Sequence, residues 1–465
     1  MRRSPGSEAP AATVVKPPLE PGDVVEIDCT DLIAKTGQAV GRADGMVVYV
    51  LGPVPGERAR VRIETVKAKY AVAELLELLT TSEDRAEPFC PVFGVCGGCQ
   101  VQHLAYPAQL RWKRDIVANA LRRLGGIADA DVLPTIGMEL PRGYRNKMAL
   151  VVDRSGPTAG FGFYAARTHD VVPIETCPVV MPRLDGELAG LWAAALDPES
   201  APAFEDARHV IARAAQSSGQ SVLSITTERA SRTLAAAAPA LAAHLPDVVG
   251  IANSFEPPSE NAVLGRRHTT VLGKAEMEEE IKGIRFRVSP ASFFQVNGEM
   301  VGHIFAQLAP RVKPGARLVD LYCGAGTFAL FFAKHGAEVV GIEENPNAVR
   351  EARANAELNG VAQRTTFLTG RVDATLSSER GGKTLAEADV VFLDPPRKGT
   401  DQGTLEALRA AKVPQVWYLS CNPATLARDL AFLTAGGYRL GPVQPFDMFP
   451  QTGHIEALAV LSFKE

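Results

Sequence analysis

The sequence RLVDLYCGAGT, residues 317–327, decides the fold, because an apolar run passes there directly into a glycine loop. The apolar residues predict a strand, and the stretch that follows as far as Gly336 predicts a helix. Gly324 and Gly326 let the backbone approach a ligand closely at the carboxyl end of that strand. The third glycine of the dinucleotide-binding fingerprint is absent, so the loop by itself is a weak signal.

Strands and helices alternate regularly from Arg317 onward. The apolar runs AEVVGIEE, ADVVFLDPP and QVWYLSC are separated by helix-like stretches, which is the rhythm of a doubly wound parallel sheet. Glu343 follows the second strand, 19 positions after Gly324, where an acid can accept hydrogen bonds from both hydroxyls of a ribose. Asp394 follows a later strand at the same sheet edge, with a turn or helix-cap role as its alternative. Together these features predict a site for an adenosine-containing ligand.

Length and composition bound the class of protein. The 465 residues suffice for about three domains at roughly 150 residues each. Hydrophobic residues make up 46% and charged residues 22%, which excludes a collagen-like chain and extensive disorder. The formal charge of -4 provides no global positive field, so any site for a polyanion must be local. No stretch is apolar enough for a membrane span or a signal peptide, and we expect a cytoplasmic protein.

Cys421 ends another apolar strand, residues 416–420, and therefore reaches the same edge of the sheet. A cysteine at a strand end is more often a small buried residue than a nucleophile, so its neighbours decide. Glu456, in QTGHIE, precedes the last apolar run and returns a carboxylate to this region as a candidate base. His454 is the rival for that role, although a histidine in a turn is usually only solvated.

Several motifs resemble those of known methyltransferases. The D-x-x-C-G-x-G loop, the acid after the second strand and D-P-P resemble the class I S-adenosylmethionine-dependent methyltransferases. More specific stretches resemble the RNA uracil-5-methyltransferase family: DLYCGAGTF (320–328), FLDPPRKG (392–399), YLSCNPATLARDL (418–430), TGHIEALAVL (452–461) and SPASFFQVN (289–297). The last of these is similar to the beginning of that family's catalytic domain. The resemblance extends from about residue 17 to the end of the chain.

The resemblance implies a role for each candidate site residue. It implies Cys421 as the nucleophile and Glu456 as the base that removes a proton. The S-adenosylmethionine contacts that it implies are Gln295, Tyr322, Glu343 and Asp394. Phe293 is a candidate for stacking on a flipped base, with a core aromatic as the alternative.

A thiol and a carboxylate suit the methylation of uracil at C5. That carbon is a poor nucleophile, but addition of a thiolate at C6 produces an enolate that takes a methyl group at C5. A base must then remove the C5 proton, and elimination of the thiol regenerates the enzyme. An N-methylating enzyme needs neither the thiol nor such a base.

A second group of cysteines lies far from this motif. Cys90, Cys96 and Cys99 form C-x5-C-x2-C, and Cys177 lies further along the chain. Seven cysteines in a chain without an export signal favour metal or catalytic use over disulfides. The spacing suits a [4Fe-4S] cluster or tetrahedral zinc and does not decide between them. The RNA uracil-5-methyltransferase family often carries an iron-sulfur cluster on such cysteines, so the resemblance implies a cluster, with a structural role.

The chain is expected to contain four segments. Short β runs separated by glycine turns predict a small β-barrel near the N-terminus, and the resemblance identifies it with the RNA-binding TRAM domain of the family. The segments are a disordered tail (1–16), the TRAM-like barrel (17–79), a central mixed α/β domain with the iron-sulfur cysteines (80–290) and a Rossmann-like, doubly wound methyltransferase domain (291–465).

Basic residues in the first half of the chain are candidates for RNA contact. Arg58, Arg60 and Arg62 stand two apart and share one face of a strand, and KAKY (67–70) follows them. A solvated strand face is the alternative, and the TRAM resemblance favours RNA. GYRNK (143–147) also resembles an RNA-facing element of the family's central domain.

The sequence therefore predicts a cytoplasmic, monomeric RNA methyltransferase that flips a uridine out of transfer RNA or ribosomal RNA and makes 5-methyluridine. Three alternatives stay open. They are an N-methyltransferase in which Cys421 is structural, an RNA-binding protein or chaperone with a vestigial methyltransferase domain, and a nucleotide-dependent oxidoreductase. Replacement of Cys421 by alanine separates the first alternative from the prediction, because only C5 methylation needs the thiol.

Overall fold

The predicted tail lies outside the part of the chain that the computed structural model describes. That part consists of residues 19–259, 262–274, 276–290 and 292–464. Within these ranges, no helix is both long and apolar enough to cross a membrane.

Two compact units make up the chain. The first takes in the chain up to Glu87 together with His103–Ala105, and the second takes in Pro88–Gln102 and the chain from Tyr106 onward. The segment boundaries expected from the sequence remain a prediction.

The first unit is rich in β-structure, as the sequence predicts. Its strands are β1 (Val24–Asp28), β2 (Asp31–Leu32), β3 (Ala39–Ala43), β4 (Met46–Val50), β5 (Arg58–Val66) and β6 (Tyr70–Leu78). Across the described residues they form one six-stranded sheet in the order β1-β5-β6-β4-β3-β2. Alternation of side chains produces its core: Ala59, Val61 and Ile63 of β5 are buried, whereas the arginines between them lie on the outward face.

The second unit begins with a helix and a mixed sheet. The elements are α1 (Tyr106–Arg123), β7 (Lys147–Asp153), β8 (Gly160–Tyr164), β9 (Val171–Pro173), α2 (Pro182–Leu196), β10 (His209–Ala214), β11 (Ser221–Thr227), α3 (Arg232–Ala243), β12 (Val248–Phe255) and β13 (Arg267–Gly273). The sheet has the order β13-β12-β11-β10-β7-β8-β9. A hairpin follows, formed by β14 (Met277–Ile281) and β15 (Ile284–Val288).

Strands and helices then alternate to the end of the described chain. They are α4 (Gly298–Leu308), β16 (Arg317–Leu321), α5 (Thr327–Lys334), β17 (Glu338–Glu343), α6 (Pro346–Leu358), β18 (Thr365–Thr369), α7 (Val372–Leu376), α8 (Glu379–Ala386), β19 (Val390–Leu393), α9 (Gln402–Ala411), β20 (Gln415–Ser420), α10 (Pro423–Ala435), β21 (Tyr438–Phe446) and β22 (Glu456–Phe463). The sheet order is β18-β17-β16-β19-β20-β22-β21. Strands β16 to β20 are parallel, and β22 runs antiparallel between β20 and β21. The predicted doubly wound fold is confirmed.

Apolar packing fixes this sheet and its helices. Strand β19 is buried along its whole length, as expected for a parallel strand that is covered on both faces. Phe305 stacks on Phe331 with ring centroids 4.2 Å apart, and Phe328 packs on Phe392 at 4.6 Å. Truncating one of these buried rings to alanine costs about 3–5 kcal/mol. The rigid sheet therefore holds the loops at its carboxyl edge in fixed positions.

Candidate active site

The glycine loop after β16 has the unusual backbone that its sequence predicts. Gly324 and Gly326 have φ angles of 53° and 88°, and Gly326 caps the start of α5. Tyr322 also has a positive φ, 65°, which is rare for a bulky residue. Its hydroxyl donates a hydrogen bond to Oδ2 of Asp401 at 3.1 Å, and Asp401 caps α9. The tyrosine is therefore held beside the loop from both ends.

Glu343 joins the end of β17 to this loop. Its Oε2 accepts a hydrogen bond from the N–H of Gly324 at 3.1 Å, and its Oε1 accepts one from the N–H of Asn345 at 2.8 Å. Each carboxylate oxygen has a second lone pair, so the group can still accept hydrogen bonds from a ligand. The structure thus brings together the glycine loop and the acid that the sequence predicts for a ribose.

Two further carboxyl groups lie close together at this edge. Asp320 is 1% exposed, and neither of its carboxylate oxygens has a hydrogen-bond partner in the described structure. Burial and the nearby charge of Asp394 raise the pKa of Asp320 well above its ordinary value. Burial of its carboxyl group raises the pKa of Asp394 to about 7. A buried unpaired carboxylate is unfavourable unless a cation joins it.

Asp320 is a candidate site residue that the sequence analysis missed. This aspartate is the first residue of D-x-x-C-G-x-G, so the motif marked its position. The apolar residues around it in the strand, however, do not indicate that its carboxylate lacks a hydrogen-bond partner. The unpaired oxygens become visible only when every neighbour is placed. Besides Glu343, this edge therefore has the two acids Asp320 and Asp394, of which the sequence analysis named only Asp394.

The thiol of Cys421 lies at the carboxyl end of β20. It is half-buried. Burial and the negative charges of Glu456 and Asp394 raise the pKa of this thiol to about 12, and the Arg397 guanidinium acts in the opposite direction. Asn422, the next residue, donates from its Nδ2 to the carbonyl of Arg397 at 2.8 Å. This hydrogen bond joins the loop after β20 to the loop that follows Asp394.

Glu456 reaches the same place from the opposite chain direction. Strand β22 is antiparallel to β20, and its residue Ala457 pairs with Ser420. This register sets the first residue of β22 opposite the end of β20, so the carboxylate and the thiol of Cys421 share one edge of the sheet. Glu456 is 4% exposed, and its Oε2 has no hydrogen-bond partner in the described residues. Burial and the charge of Asp394 raise its pKa well above the ordinary value.

His454, the rival base, is placed against a cation. Its Nδ1 lies 3.1 Å from Nη2 of Arg397. Burial and the positive charge of Arg397 lower the pKa of His454 to about 4. The imidazole is therefore neutral at neutral pH and is a weaker base than the carboxylate of Glu456.

The segment between β15 and α4 carries two predicted residues. Gln295 is buried, and its carbonyl accepts a hydrogen bond from Nδ2 of Asn146 at 3.0 Å, so it is anchored to the residues before β7. Phe293 is 76% exposed. The interpretation of Phe293 as a core aromatic is wrong, because a core residue would be covered. Its free ring face is available for stacking.

Comparison with known proteins supports the fold and the family. Residues 266–464 match the tRNA (Uracil-5-)-methyltransferase family, and residues 18–76 match the TRAM domain. An uncharacterized RNA methyltransferase of Listeria innocua is 35% identical over 455 residues, covering 96% of this chain and 99% of the relative. One of Thermosynechococcus vestitus is 36% identical, covering 93% and 96%. This chain belongs to the tRNA (uracil-5-)-methyltransferase family.

A solved structure shares the fold of this RNA methyltransferase over nearly its whole length. It is the Pyrococcus abyssi tRNA (uracil-54, C5)-methyltransferase in complex with S-adenosyl-L-homocysteine. The TM-score is 0.72 at 24% identity, and the match covers 94% of this chain and all of the other. Because the relatives match almost end to end, the family resemblance seen in the sequence is confirmed. The solved structure confirms the fold.

The four cysteines Cys90, Cys96, Cys99 and Cys177 of this family member lie in one region. Cys96 and Cys177 pack against the same core cluster, and the Sγ of Cys96 accepts a hydrogen bond from the N–H of Gly98 at 3.4 Å. Burial, together with the charges of the nearby thiols, raises the pKa of Cys99 to about 12. Among the residues that the structure describes, however, no group of three or more histidine, cysteine, aspartate or glutamate side chains is arranged to hold a metal ion. The predicted cluster is not supported by this arrangement.

The arginines of β5 in the TRAM unit are paired with glutamates. Arg58 pairs with Glu26 at 2.8 Å, Arg62 pairs with Glu74 at 3.2 Å, and Arg60 pairs with both Glu26 and Glu77. Three arginines thus face three glutamates. The arginine part of the expected basic patch is therefore wrong, because glutamates on the neighbouring strands β1 and β6 neutralise it.

The two lysines that the sequence analysis placed beside these arginines lie at the turn between β5 and β6. Lys67 and Lys69 are exposed, and the turn is closed by a hydrogen bond from the N–H of Lys67 to the carbonyl of Tyr70 at 2.8 Å. The ring of Tyr70 is 37% exposed and lies 5.2 Å from the ring of Tyr49, centroid to centroid. Two positive charges therefore lie close in the chain to the exposed ring of Tyr70, which packs on the half-buried ring of Tyr49.

Proposed function

We propose that this RNA methyltransferase transfers a methyl group from S-adenosylmethionine to C5 of a uridine in transfer RNA or ribosomal RNA. Cys421 is the proposed nucleophile and Glu456 the proposed base. The proposal rests on one arrangement: a thiol at the end of β20 and a buried carboxylate at the start of β22 share one sheet edge. C5 methylation of uracil needs this pair of groups.

The residues at the carboxyl edge fit S-adenosylmethionine. The cofactor carries a sulfonium and an ammonium group, and Asp320 and Asp394 are buried carboxyl groups that a cation would relieve. Glu343 keeps acceptor capacity for the ribose hydroxyls. Tyr322 and Gln295 complete the proposed contacts. When bound, S-adenosylmethionine supplies the methyl group that C5 receives.

The chain's own residues then act in a defined order. The Cys421 thiolate adds to C6 of the flipped uracil, the C5–C6 double bond opens, and negative charge moves to O4. After C5 has gained its methyl group, the Glu456 carboxylate removes the C5 proton. The electron pair of that C–H bond re-forms the C5–C6 double bond, and the Cys421 sulfur leaves. Phe293, with its exposed ring, is the proposed stacking partner of the flipped base.

Arg397 opposes the charges that make this thiol hard to ionise. With a pKa of about 12, Cys421 is protonated at neutral pH in the cofactor-free chain. The guanidinium lowers the pKa of both Cys421 and Glu456. The backbone carbonyl of Arg397 accepts a hydrogen bond from Asn422, the residue after Cys421. A positive ligand beside Asp394 would act in the same direction. We therefore propose that the thiolate forms mainly when the site is filled.

The proposed reaction is tested with methyl-labelled S-adenosylmethionine. The protein is incubated with unmodified transfer RNA and ribosomal RNA in separate tubes, and the nucleosides are identified by mass spectrometry. We expect label in 5-methyluridine from one RNA. Label in an N-methylated nucleoside would favour the N-methyltransferase alternative instead.

Replacement of the proposed nucleophile sharpens this test. Cys421→Ala should lower 5-methyluridine formation by at least about a thousandfold, because no other group forms the C6 adduct. Cys29→Ala is the matched control, since Cys29 is a buried thiol in the first unit. Activity of Cys421→Ala equal to that of the wild type would remove the covalent mechanism.

We also propose that Cys90, Cys96, Cys99 and Cys177 hold an iron-sulfur cluster. The proposal rests on the family resemblance and on the proximity of the four cysteines, since the charges of Cys177, Cys96 and Cys90 act on the Cys99 thiol. Binding of a cluster would require their sulfur atoms to move onto a common centre. Iron, sulfide and zinc are measured in protein purified without oxygen. About four iron and four sulfide per chain are expected. Stoichiometric zinc without sulfide would instead identify a zinc site.

RNA contact by the TRAM unit is proposed at the β5–β6 turn. Lys67 and Lys69 supply charges that no glutamate neutralises in the described structure, and the pair of rings formed by Tyr49 and Tyr70 offers a surface on which a base can stack. This combination of charge and exposed aromatic rings is typical of proteins that bind single-stranded RNA.

A further inference from the structure

A buried glutamine lies on the segment that leads to the proposed base. Gln451 is 3% exposed and stands five positions before Glu456. Its φ angle is 70°. A residue other than glycine rarely adopts this left-handed backbone, and it persists only where the surroundings hold it. Such positions are concentrated at functional sites.

Five hydrogen bonds hold this residue. The carbonyl of Gln451 accepts from the N–H groups of Gln100 at 3.0 Å and Val101 at 3.1 Å. Its N–H donates to Oε1 of Gln109 at 3.1 Å, and its Oε1 accepts from Nε2 of Gln109 at 2.9 Å. Its Nε2 donates to the carbonyl of Pro141 at 3.2 Å. Backbone and side chain are therefore both fixed.

The residues just before this glutamine are anchored by the same part of the fold. Lys113, which is fully buried on α1, forms an ion pair with Asp447 and donates to the carbonyl of Phe449 at 3.0 Å. The hydroxyl of Tyr144 donates to the carbonyl of Pro450 at 3.1 Å. The approach to the proposed base is thus held at successive positions, and the glutamine is the last of them.

The same hydrogen bonds reach the cysteine region. Gln100 and Val101 directly follow Cys99 in the chain. Gln109, besides binding Gln451, donates from Nε2 to the carbonyl of Val101 at 3.0 Å. A displacement of the backbone at Cys99 would therefore break or shift the hydrogen bonds that fix Gln451.

We infer that Gln451 is a positioning residue that places Glu456 for removal of the C5 proton and couples the cysteine region to that step. The inference rests on the proposed function, in which Glu456 is the base. Gln451 acts through the segment that carries the carboxylate and not on the RNA. Its loss should slow proton removal and thiol elimination, while formation of the covalent adduct with RNA stays near the wild-type rate.

Gln451→Ala tests the inference in the full-length protein. Single-turnover reactions use methyl-labelled S-adenosylmethionine and the RNA that the wild type methylates, and a denaturing gel separates protein-bound from free RNA. We expect labelled adduct to form normally and to release its RNA about tenfold to a hundredfold more slowly, since small misplacements of a reacting group have effects of this size. Gln451→Asn, which keeps an amide and tolerates a left-handed backbone, should restore part of the release rate.

A matched control separates positioning from stability. Asn253 is also a buried amide in the second unit, and its Nδ2 donates to the carbonyl of Ile225 at 3.1 Å and to Oγ1 of Thr227 at 2.9 Å. Asn253→Ala should lower the melting temperature without any accumulation of adduct. If Gln451→Ala does not fold, Gln109→Ala removes two of the five hydrogen bonds and leaves Gln451 in place.

Equal slowing of adduct formation and release by Gln451→Ala, or an unchanged release rate, would overturn the inference. Failure of the proposed function has a different signature, because the wild type itself would then form no covalent adduct with RNA. The coupling is measured with Cys99→Ser, which should slow release and add little to the effect of Gln451→Ala. Additive effects of the two substitutions on release would contradict the coupling.

Discussion

Two groups of charged side chains in this protein are built in opposite ways. On the outward face of the first sheet, three arginines of β5 pair with glutamates of β1 and β6, and all six side chains are at least 38% exposed. At the carboxyl edge of the catalytic sheet, Asp320 and Glu456 are buried beside Asp394 with oxygens that lack partners in the described residues. The first group is compensated within the protein, and the second is not.

The difference shows which charges serve the fold and which are kept for a ligand. An exposed ion pair contributes only about 0–1 kcal/mol to stability, and once paired it attracts a polyanion poorly. A buried carboxylate without a partner destabilises the folded chain until a proton or a cation joins it. In the proposed function, the carboxyl edge gives up stability in order to bind the cofactor and carry out the chemistry.

Neutralising the proposed base should have the largest effect on the uncompensated group. In Glu456→Gln the carboxylate can no longer remove the C5 proton, so we expect turnover to fall by about a hundredfold to ten-thousandfold and methylated RNA to remain bound to Cys421. The adduct is measured on a denaturing gel. His454→Gln is the comparison, and trapping by this variant but not by Glu456→Gln would assign the base role to the histidine.

Removing one buried charge should affect binding and stability in opposite directions. In Asp320→Asn the chain no longer buries an unpaired carboxylate, so the cofactor-free protein should melt at a higher temperature while S-adenosylmethionine binds about tenfold more weakly. Calorimetry measures both quantities. Glu74→Gln, on the compensated face, should change neither, and a parallel loss of stability and affinity in Asp320→Asn would contradict the comparison.

The pH dependence of cofactor binding should report Asp394. Because burial raises its pKa to about 7 in the free protein, this carboxyl group is neutral below that pH and charged above it. A negative charge attracts the cationic cofactor, so affinity should rise as the pH increases through 7 and level off above it. Asp394→Asn should bind weakly with little pH dependence, as measured by titration calorimetry between pH 5.5 and pH 8.5, a window of about 1.5 units on either side of that pKa.

The smallest effect is expected on the TRAM unit. The double substitution Lys67→Gln and Lys69→Gln should weaken RNA binding by less than about tenfold and reduce the slope of log affinity against log salt by about 1 to 2. Arg60→Gln is the matched control, because that arginine is already paired with Glu26 and Glu77. A larger loss in the arginine variant would restore the basic strand as the RNA contact.

The sequence predicted those features of the site that depend on neighbours along the chain. The glycine loop and Glu343 could be predicted because strand ends in a parallel sheet meet at one edge. The neutralised arginines could not, because the register of β5 against β1 and β6 decides which glutamates face them. Whether the oxygens of Asp320 have hydrogen-bond partners depends on residues that are distant in the chain and pack around it. The left-handed backbone of Gln451 could not be predicted either, because a glutamine rarely adopts it and only distant contacts hold it there.

The position of β22 in the sheet affects the order in which the proposed site is completed during synthesis. This strand is made after β20 and β21, yet it lies between them. Synthesis proceeds from the amino end, so a nascent chain already contains Cys421 while Glu456 has not been added. The two proposed catalytic partners can meet only once β22 lies between β20 and β21. In the proposed mechanism, a chain that still lacks β22 therefore has no base with which to release an RNA bound to Cys421.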